Sequence, residues 1–178
     1  MVFLQDGVGS QIEKEIEEEY YCGKNYIVDM RNLGLEEKDY QCEIADRNSI
    51  IDIADLLIAD SEFSNVYRRQ TLIDQMLERY DDGFSRYFII RKDEKVVAAY
   101  NTAGEVPGFA IINGLIVHPQ YRHKGYASEI MNFACHILEK ENIKSRVSFV
   151  NKNNVASLSL HEKNGAYKIA TLAKFVKK

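Results

Sequence analysis

"HPQYRHKGYASEIMNFACHIL", residues 118–138, places His118, Arg122, His123 and Lys124 within seven positions, directly ahead of Gly125. Ala127, Ile130, Met131, Ala134 and Leu138 then recur at the spacing of one helix face. Just upstream, "GFAIINGLIV" (108–117) is almost continuously apolar, as a strand buried on both faces must be. A central strand is therefore expected to run to Val117, the chain to turn at Pro119, and a helix to begin near Gly125. The first turn of a helix carries amide protons without intrahelical partners, at the positive end of its dipole. That end attracts an anion with about 0.3–2 kcal/mol from the dipole alone. Gly125 has no Cβ, so an anion's oxygens can come close to the main chain. The basic side chains add charge at the same point, and the expected ligand is a phosphate or pyrophosphate.

Outward from this stretch, the pattern gives the remaining elements. "YQCEIAD" reads as a strand, and Asp46 or Asn48 can cap the helix "SIIDIADLLIAD". Leu72, Ile73, Met76, Leu77 and Tyr80 share a face of a helix over 71–80, which "DDG" ends. "RYFIIRKDEKVVAAYNTAGE" reads as a hairpin with a tight polar turn. After the 126–138 helix, "SRVSFV" alternates as a strand does, "NNVASLSLHEKNG" is a short helix that Gly165 terminates, and "AYKIATLAKFV" closes as a strand. The order β-α-α-β-β-β-α-β-α-β makes the fold class α/β, with a mixed sheet flanked by helices.

The first 39 residues differ from the rest. "SQIEKEIEEEY" (10–20) reads as an acidic helix with Ile12, Ile16 and Tyr20 on its stripe, and "NYIVDM" as a short strand. This segment is expected to be an N-terminal arm, which could serve as a dimer contact, or the remnant of a preceding domain. Residues 40–178 form the main domain.

Composition narrows the function. An apolar fraction of 46%, a charged fraction of 28% and a net charge of -4 describe a globular chain without the basic surface that bulk nucleic-acid binding requires. No run approaches the roughly 20 apolar residues of a membrane span, and the N-terminus has no secretion-signal pattern. Cys22, Cys42 and Cys135 are odd in number and widely spaced, as in a cytoplasmic protein with reduced thiols. The four histidines and three cysteines never adopt metal-ligand spacing, so no metal is expected. The loop lacks both G-x-x-x-x-G-K-[ST] and G-x-G-x-x-G, which argues against the usual nucleotides.

"GLIVHPQYRHKGYASEIM" resembles the acetyl-CoA-binding motif V-x-P-x-x-R-x-x-G-x-[GA] of the GNAT N-acetyltransferases, in the branch with P-x-Y-R-x-K-G-Y-A. "NVASLSLHEKNGAYK" resembles that family's second motif, N-x-x-[AS]-x-x-x-Y-x-K-x-G-F, in the right order and at the right separation. The likeness covers about residues 40–176 and implies a GNAT-like acyl-CoA N-acyltransferase fold. It implies that Arg122, His123, Lys124, Gly125, Tyr126 and Ala127 cradle the diphosphate of acetyl-CoA. Leu115, Ile116 and Val117 would lie along the pantetheine arm, with an amide near Val117 polarising the thioester carbonyl. The arm would enter a cleft between the central strand and its parallel neighbour. Asn113 and Gly114 suit a local irregularity there, although Gly114 could simply relieve packing.

In the second motif, Asn154 would contact the cofactor arm, or cap its helix, or both. Two positions depart from the pattern. His161 stands where the family commonly has the tyrosine that protonates the departing thiolate; it could take that role or be an ordinary helix histidine. Ala166 replaces a phenylalanine, whose space Tyr167 could refill. Glu105 is the carboxylate best placed by resemblance to act as general base, through a water or directly. Glu62 is a weaker candidate.

The activity implied is acetyl-CoA-dependent N-acetylation of a primary amine, small molecule or peptide, by direct attack through a tetrahedral intermediate. Such a reaction needs no nucleophilic side chain, and none is apparent. The alternative is a non-catalytic acyl-CoA-binding regulatory module.

Overall fold

The apolar run at 109–117 forms the centre of a seven-stranded sheet in a computed structural model that describes residues 14–24, 41–60, 68–150 and 153–175. The strands are β1 (Lys14–Lys24), β2 (Cys42–Ile44), β3 (Ser85–Lys92), β4 (Lys95–Val106), β5 (Phe109–Val117), β6 (Ser145–Val150) and β7 (Tyr167–Phe175). The helices are α1 (Ser49–Ile58), α2 (Arg69–Asp81), α3 (Tyr126–Lys140) and α4 (Val155–Lys163). Between Cys42 and Phe175 the order is that expected from the sequence. In space the strands run β2-β3-β4-β5-β6-β1-β7, with β5 and β6 parallel and the remaining pairs antiparallel.

Local chemistry explains the boundaries. Asp46 accepts from the amide of Ser49 at 2.8 Å and caps the first turn of α1 through its side chain. Asn48, the other candidate, makes no capping bond. The β3–β4 hairpin turns at Asp93 and Glu94, both at positive φ (48° and 65°), the backbone of the tight turn that matches strand twist.

The sheet carries an apolar layer on each face. Phe88, Ile90, Tyr100, Ala110 and Ile112 pack against Ile130, Met131 and Leu138 of α3. Tyr87, Ile89, Val96, Ala99 and Ile116 pack against α1 and α2. On β5 the assignment changes parity. Ala110 and Ile112 belong to the α3 layer, but past Asn113 it is Leu115 and Val117 that do, while Ile116 joins the opposite one. The register explains the switch: Asn101 pairs with Gly114 and Thr102 with Ile112, so Asn113 is an extra residue, a β-bulge.

The expected helix over 10–20 is corrected. Lys14–Lys24 is a strand between β6 and β7, with Glu19 to Lys24 opposite Val150 to Ser145. Ile12, Ile16 and Tyr20 fit a helical stripe, and Glu and Lys favour helix in isolation. Pairing on both edges satisfies the backbone as a strand instead, and sheet context overrides so weak a propensity. The short strand expected over 25–30 lies outside the described residues.

Candidate functional site

The bulge at Asn113 coincides with the end of a ladder. Parallel pairing of β5 with β6 runs from Phe109/Ser145 to Ile112/Ser148, and no pair follows it among the described residues. Yet β5 continues to Val117 and β6 to Val150. The two strands therefore part just past the bulge and leave a V-shaped gap in the sheet. His118 donates its amide proton to Val97 on the β4 side at 2.8 Å. Amide direction alternates along a strand, so the N–H groups of Leu115 and Val117 face the gap, and that of Ile116 faces β4.

Above the gap the chain makes a 3₁₀ turn at Pro119–Tyr121 and enters α3 through Gly125, whose φ of +90° lies in the left-handed region. His123 also has positive φ, 62°. Left-handed residues among right-handed ones make the backbone concave, a form that gathers amides. Among the described residues, the first α3 amide with a main-chain acceptor is that of Glu129, which bonds Gly125 at 3.0 Å. The N–H groups from His123 to Ser128 have no such acceptor, an array suited to a diphosphate. Lys124 adds charge and packs over the Tyr121 ring at 5.0 Å, and Lys92 packs over the Tyr126 ring at 5.4 Å.

Arg122 stands apart from this array. Its amide is turned to Pro119 at 3.4 Å. Its Nε donates to the Val117 carbonyl at 3.1 Å, and the far end of its guanidinium pairs with the Asp60 carboxylate just after α1. Asp60 is nearly buried, its side chain one-tenth exposed. Sequence reading missed it because 62 positions separate the two residues and nothing near Asp60 resembles a motif.

At the start of α4, Asn154 accepts the Ser157 amide at 3.0 Å and caps the helix. That bond uses its carbonyl oxygen and leaves the side-chain NH₂ available to donate. His161, seven residues on, is 5% exposed. Burial, reinforced by the nearby Arg146 guanidinium, pulls its imidazole down to about 4. At neutral pH roughly one such group in a thousand carries the extra proton, so the imidazole is a neutral, interior group rather than a ready acid. Arg146, itself 2% exposed, reaches Cys135 of α3.

Glu105 does not join the gap. It pairs with Ala110, in the part of β5 where the sheet is closed. Both its oxygens bond Arg86, at 2.7 and 3.1 Å, and Thr102 donates to one of them at 2.6 Å. Arg86 also binds Glu141 at the C-terminal end of α3, about 24 Å along the helix from Gly125. Glu105 instead borders a 330 Å³ cavity shared with Tyr80, Phe84 and Ser85. Glu62 lies outside the described residues. Among the described residues no group of His, Cys, Asp or Glu could hold a metal, and no helix is long and apolar enough to cross a membrane. Burial, with the Glu129 carboxylate adding to it, pushes the Cys42 thiol up to about 12, so this cysteine stays protonated in the core.

The family model described as acetyltransferase (GNAT) family matches residues 52–166. No curated protein sequence matches the chain. Among solved structures, an acetyltransferase of the GNAT family from Colwellia psychrerythraea is similar with a TM-score of 0.72 and 16% identity, over 92% of this chain and 56% of that one. This chain thus spans little more than half of that protein's length. PaiA N-acetyltransferase from Thermoplasma acidophilum, solved in complex with coenzyme A, gives 0.56 and 14% over 69% of this chain and 87% of its own. The aminoglycoside 6'-N-acetyltransferase of Acinetobacter haemolyticus gives 0.61 and 18% over 77% and 97%. At such identities the likeness speaks to fold alone.

Proposed function

The chain belongs to the acetyltransferase (GNAT) family, and from that premise we propose that it is an acetyl-CoA-dependent N-acetyltransferase acting on a primary amine. The observation that carries the proposal is the alignment of two features. Amides at His123–Ser128 that have no main-chain acceptor among the described residues precede α3 beside a gap between β5 and β6, and the gap opens at the residue where β5 bulges. A pyrophosphate on the first leaves a thin linear arm only one way into the sheet, along the second.

In this reading the thioester supplies an activated acetyl group, and the protein binds and orients it. The amides from His123 to Ala127, with Ser128 beyond them, hold the diphosphate, and Lys124 adds charge. The N–H groups of Leu115 and Val117 pair with the pantetheine arm as a neighbouring strand would, while Ile116 contributes packing beneath it. One of those donors polarises the thioester carbonyl, where negative charge grows as the amine attacks. Asn154 keeps its cap and donates its NH₂ to the arm.

No protonated side chain is required for the departing thiolate in this scheme, because His161 is neutral. We assign His161 to the interior packing of α4. Glu105, held by Arg86, fastens the far end of α3, and the ammonium proton leaves through water. Acetyl-CoA incubated with a panel of primary amines, followed by free-thiol detection, tests the proposal. Amine-dependent thiol release supports it. Tight acetyl-CoA binding without turnover on any amine would favour a binding module instead.

A further inference from the structure

Arg122 occupies the position from which a basic side chain would most simply reach a phosphate, and its side chain turns elsewhere. Its Nε bonds the Val117 carbonyl and its terminal nitrogen the Asp60 carboxylate. Both partners belong to fixed elements. Val117 ends the central strand, and Asp60 follows α1 directly, its amide bonded to Leu57 at 3.2 Å. By strand alternation the Val117 carbonyl points to the same side as its N–H, toward the gap. The guanidinium therefore ties the loop at 118–125 to the lip of the gap and to the end of α1. A charge-assisted bond to a nearly buried carboxylate is stronger than a neutral one and geometrically exacting.

We infer that Arg122 serves the acetyl-CoA site as a brace and not as a phosphate ligand, and that Asp60, which holds the guanidinium, is a positioning residue for it. The inference rests on the proposed acetyl-CoA site for its functional meaning. The brace itself is a property of the free protein. It sets the direction of the amides that follow it, from His123 to Ser128, because those amides share one backbone path with Arg122. The two roles part at Asp60: a brace is lost with either partner, whereas a phosphate ligand survives the loss of Asp60. Removing Arg122 alone takes the guanidinium from the nearly buried Asp60 carboxylate, which leaves a negative charge at the base of the loop. Removing both takes that charge away.

The test uses calorimetry with coenzyme A on Asp60→Ala, Asp60→Asn, Arg122→Ala and the Arg122→Ala/Asp60→Ala double variant. Each single alanine variant is expected to weaken binding about tenfold or more, with the double variant binding better than Arg122→Ala alone. Asp60→Asn, which keeps an oxygen acceptor, should recover part of the loss. Loss in Arg122→Ala combined with normal affinity in Asp60→Ala would overturn the inference and make Arg122 a ligand. Peptide-resolved hydrogen exchange of the ligand-free proteins provides the second arm. Faster exchange at 122–128 in Asp60→Ala, with α2 unchanged, is the brace's signature, whereas an unchanged loop refutes it. Should the wild type fail to bind coenzyme A, the proposed function fails, and the exchange arm still decides the brace.

Discussion

The side-chain oxygen of Asn101 stands 2.9 Å from the point a Cβ on Gly114 would occupy. The two residues are partners across β4 and β5, one step from the bulge at Asn113. Gly114 is therefore set by space, and the irregularity and the packing relief that its sequence suggests are one feature. The amide of Asn101 fills the place of the missing side chain where β5 begins to leave β6.

Gly114→Ala should cost about 1 kcal/mol, since Asn101 must give way by rotating. Combining Asn101→Ala with Gly114→Ala should return most of the stability lost by the single glycine variant. Urea unfolding of Asn101→Ala, Gly114→Ala and the double variant checks this. Additive losses would mean that the two positions do not touch.

Gly125→Ala forces an L-residue into the left-handed region, at about 1–2 kcal/mol. Its Cβ would meet nothing within 4 Å, in the open space beneath the proposed diphosphate. Coenzyme A affinity should fall about tenfold or more. Gly83, at φ +68° with equally open surroundings, is the control. Gly83→Ala carries similar strain and should leave affinity untouched. Equal losses in both variants would assign the effect to general destabilisation.

The buried imidazole of His161 makes stability depend on pH in a defined direction. Its folded value, about 4, lies below the ordinary 6.5. Between those values the unfolded chain takes up a proton that the folded chain refuses. Stability is full above pH 6.5 and is lost as pH falls toward 4, by a total on the order of 3 kcal/mol. His161→Asn should flatten this part of the curve. Chemical unfolding at pH 7.0 and 5.0 measures it. In the proposed reaction the same variant should retain its rate profile between pH 6 and 8, and a lost limb there would restore His161 as the acid.

Glu105→Gln should lower stability by about 1–2 kcal/mol, because one partly buried guanidinium joins Glu105 to Glu141. Glu141→Gln should cost less, its side chain being about twice as exposed. Coenzyme A affinity should not change in either. If Glu105→Gln instead abolished the rise of amine acetylation with pH while melting normally, Glu105 would be the general base.

Much of this was legible in the chain because it is written locally. The apolar run at 109–117, the periodicity at 127–138 and the hairpin turn at Asp93–Glu94 each depend on neighbours in sequence. So does the glycine at the start of α3, directly ahead of its apolar periodicity. What stayed hidden depends on distant partners. β1 takes its conformation from β6 and β7, both more than a hundred residues away, and its own Glu-rich sequence points to helix. The occupation of Glu105 by Arg86, the capture of Arg122 by Asp60 and the burial of His161 beside Arg146 all join separate elements. A motif assigns a residue a position, but only the packing around it says whether its side chain is available.

Hydrogen exchange with and without acetyl-CoA reads the proposed cradle amides themselves. The cosubstrate should slow exchange at His123–Ser128 and at Leu115 and Val117, and leave Glu105 and the β3–β4 turn unaltered. Saturating acetyl-CoA that protects some other part of the chain, with His123–Ser128 exchanging as freely as before, would contradict it.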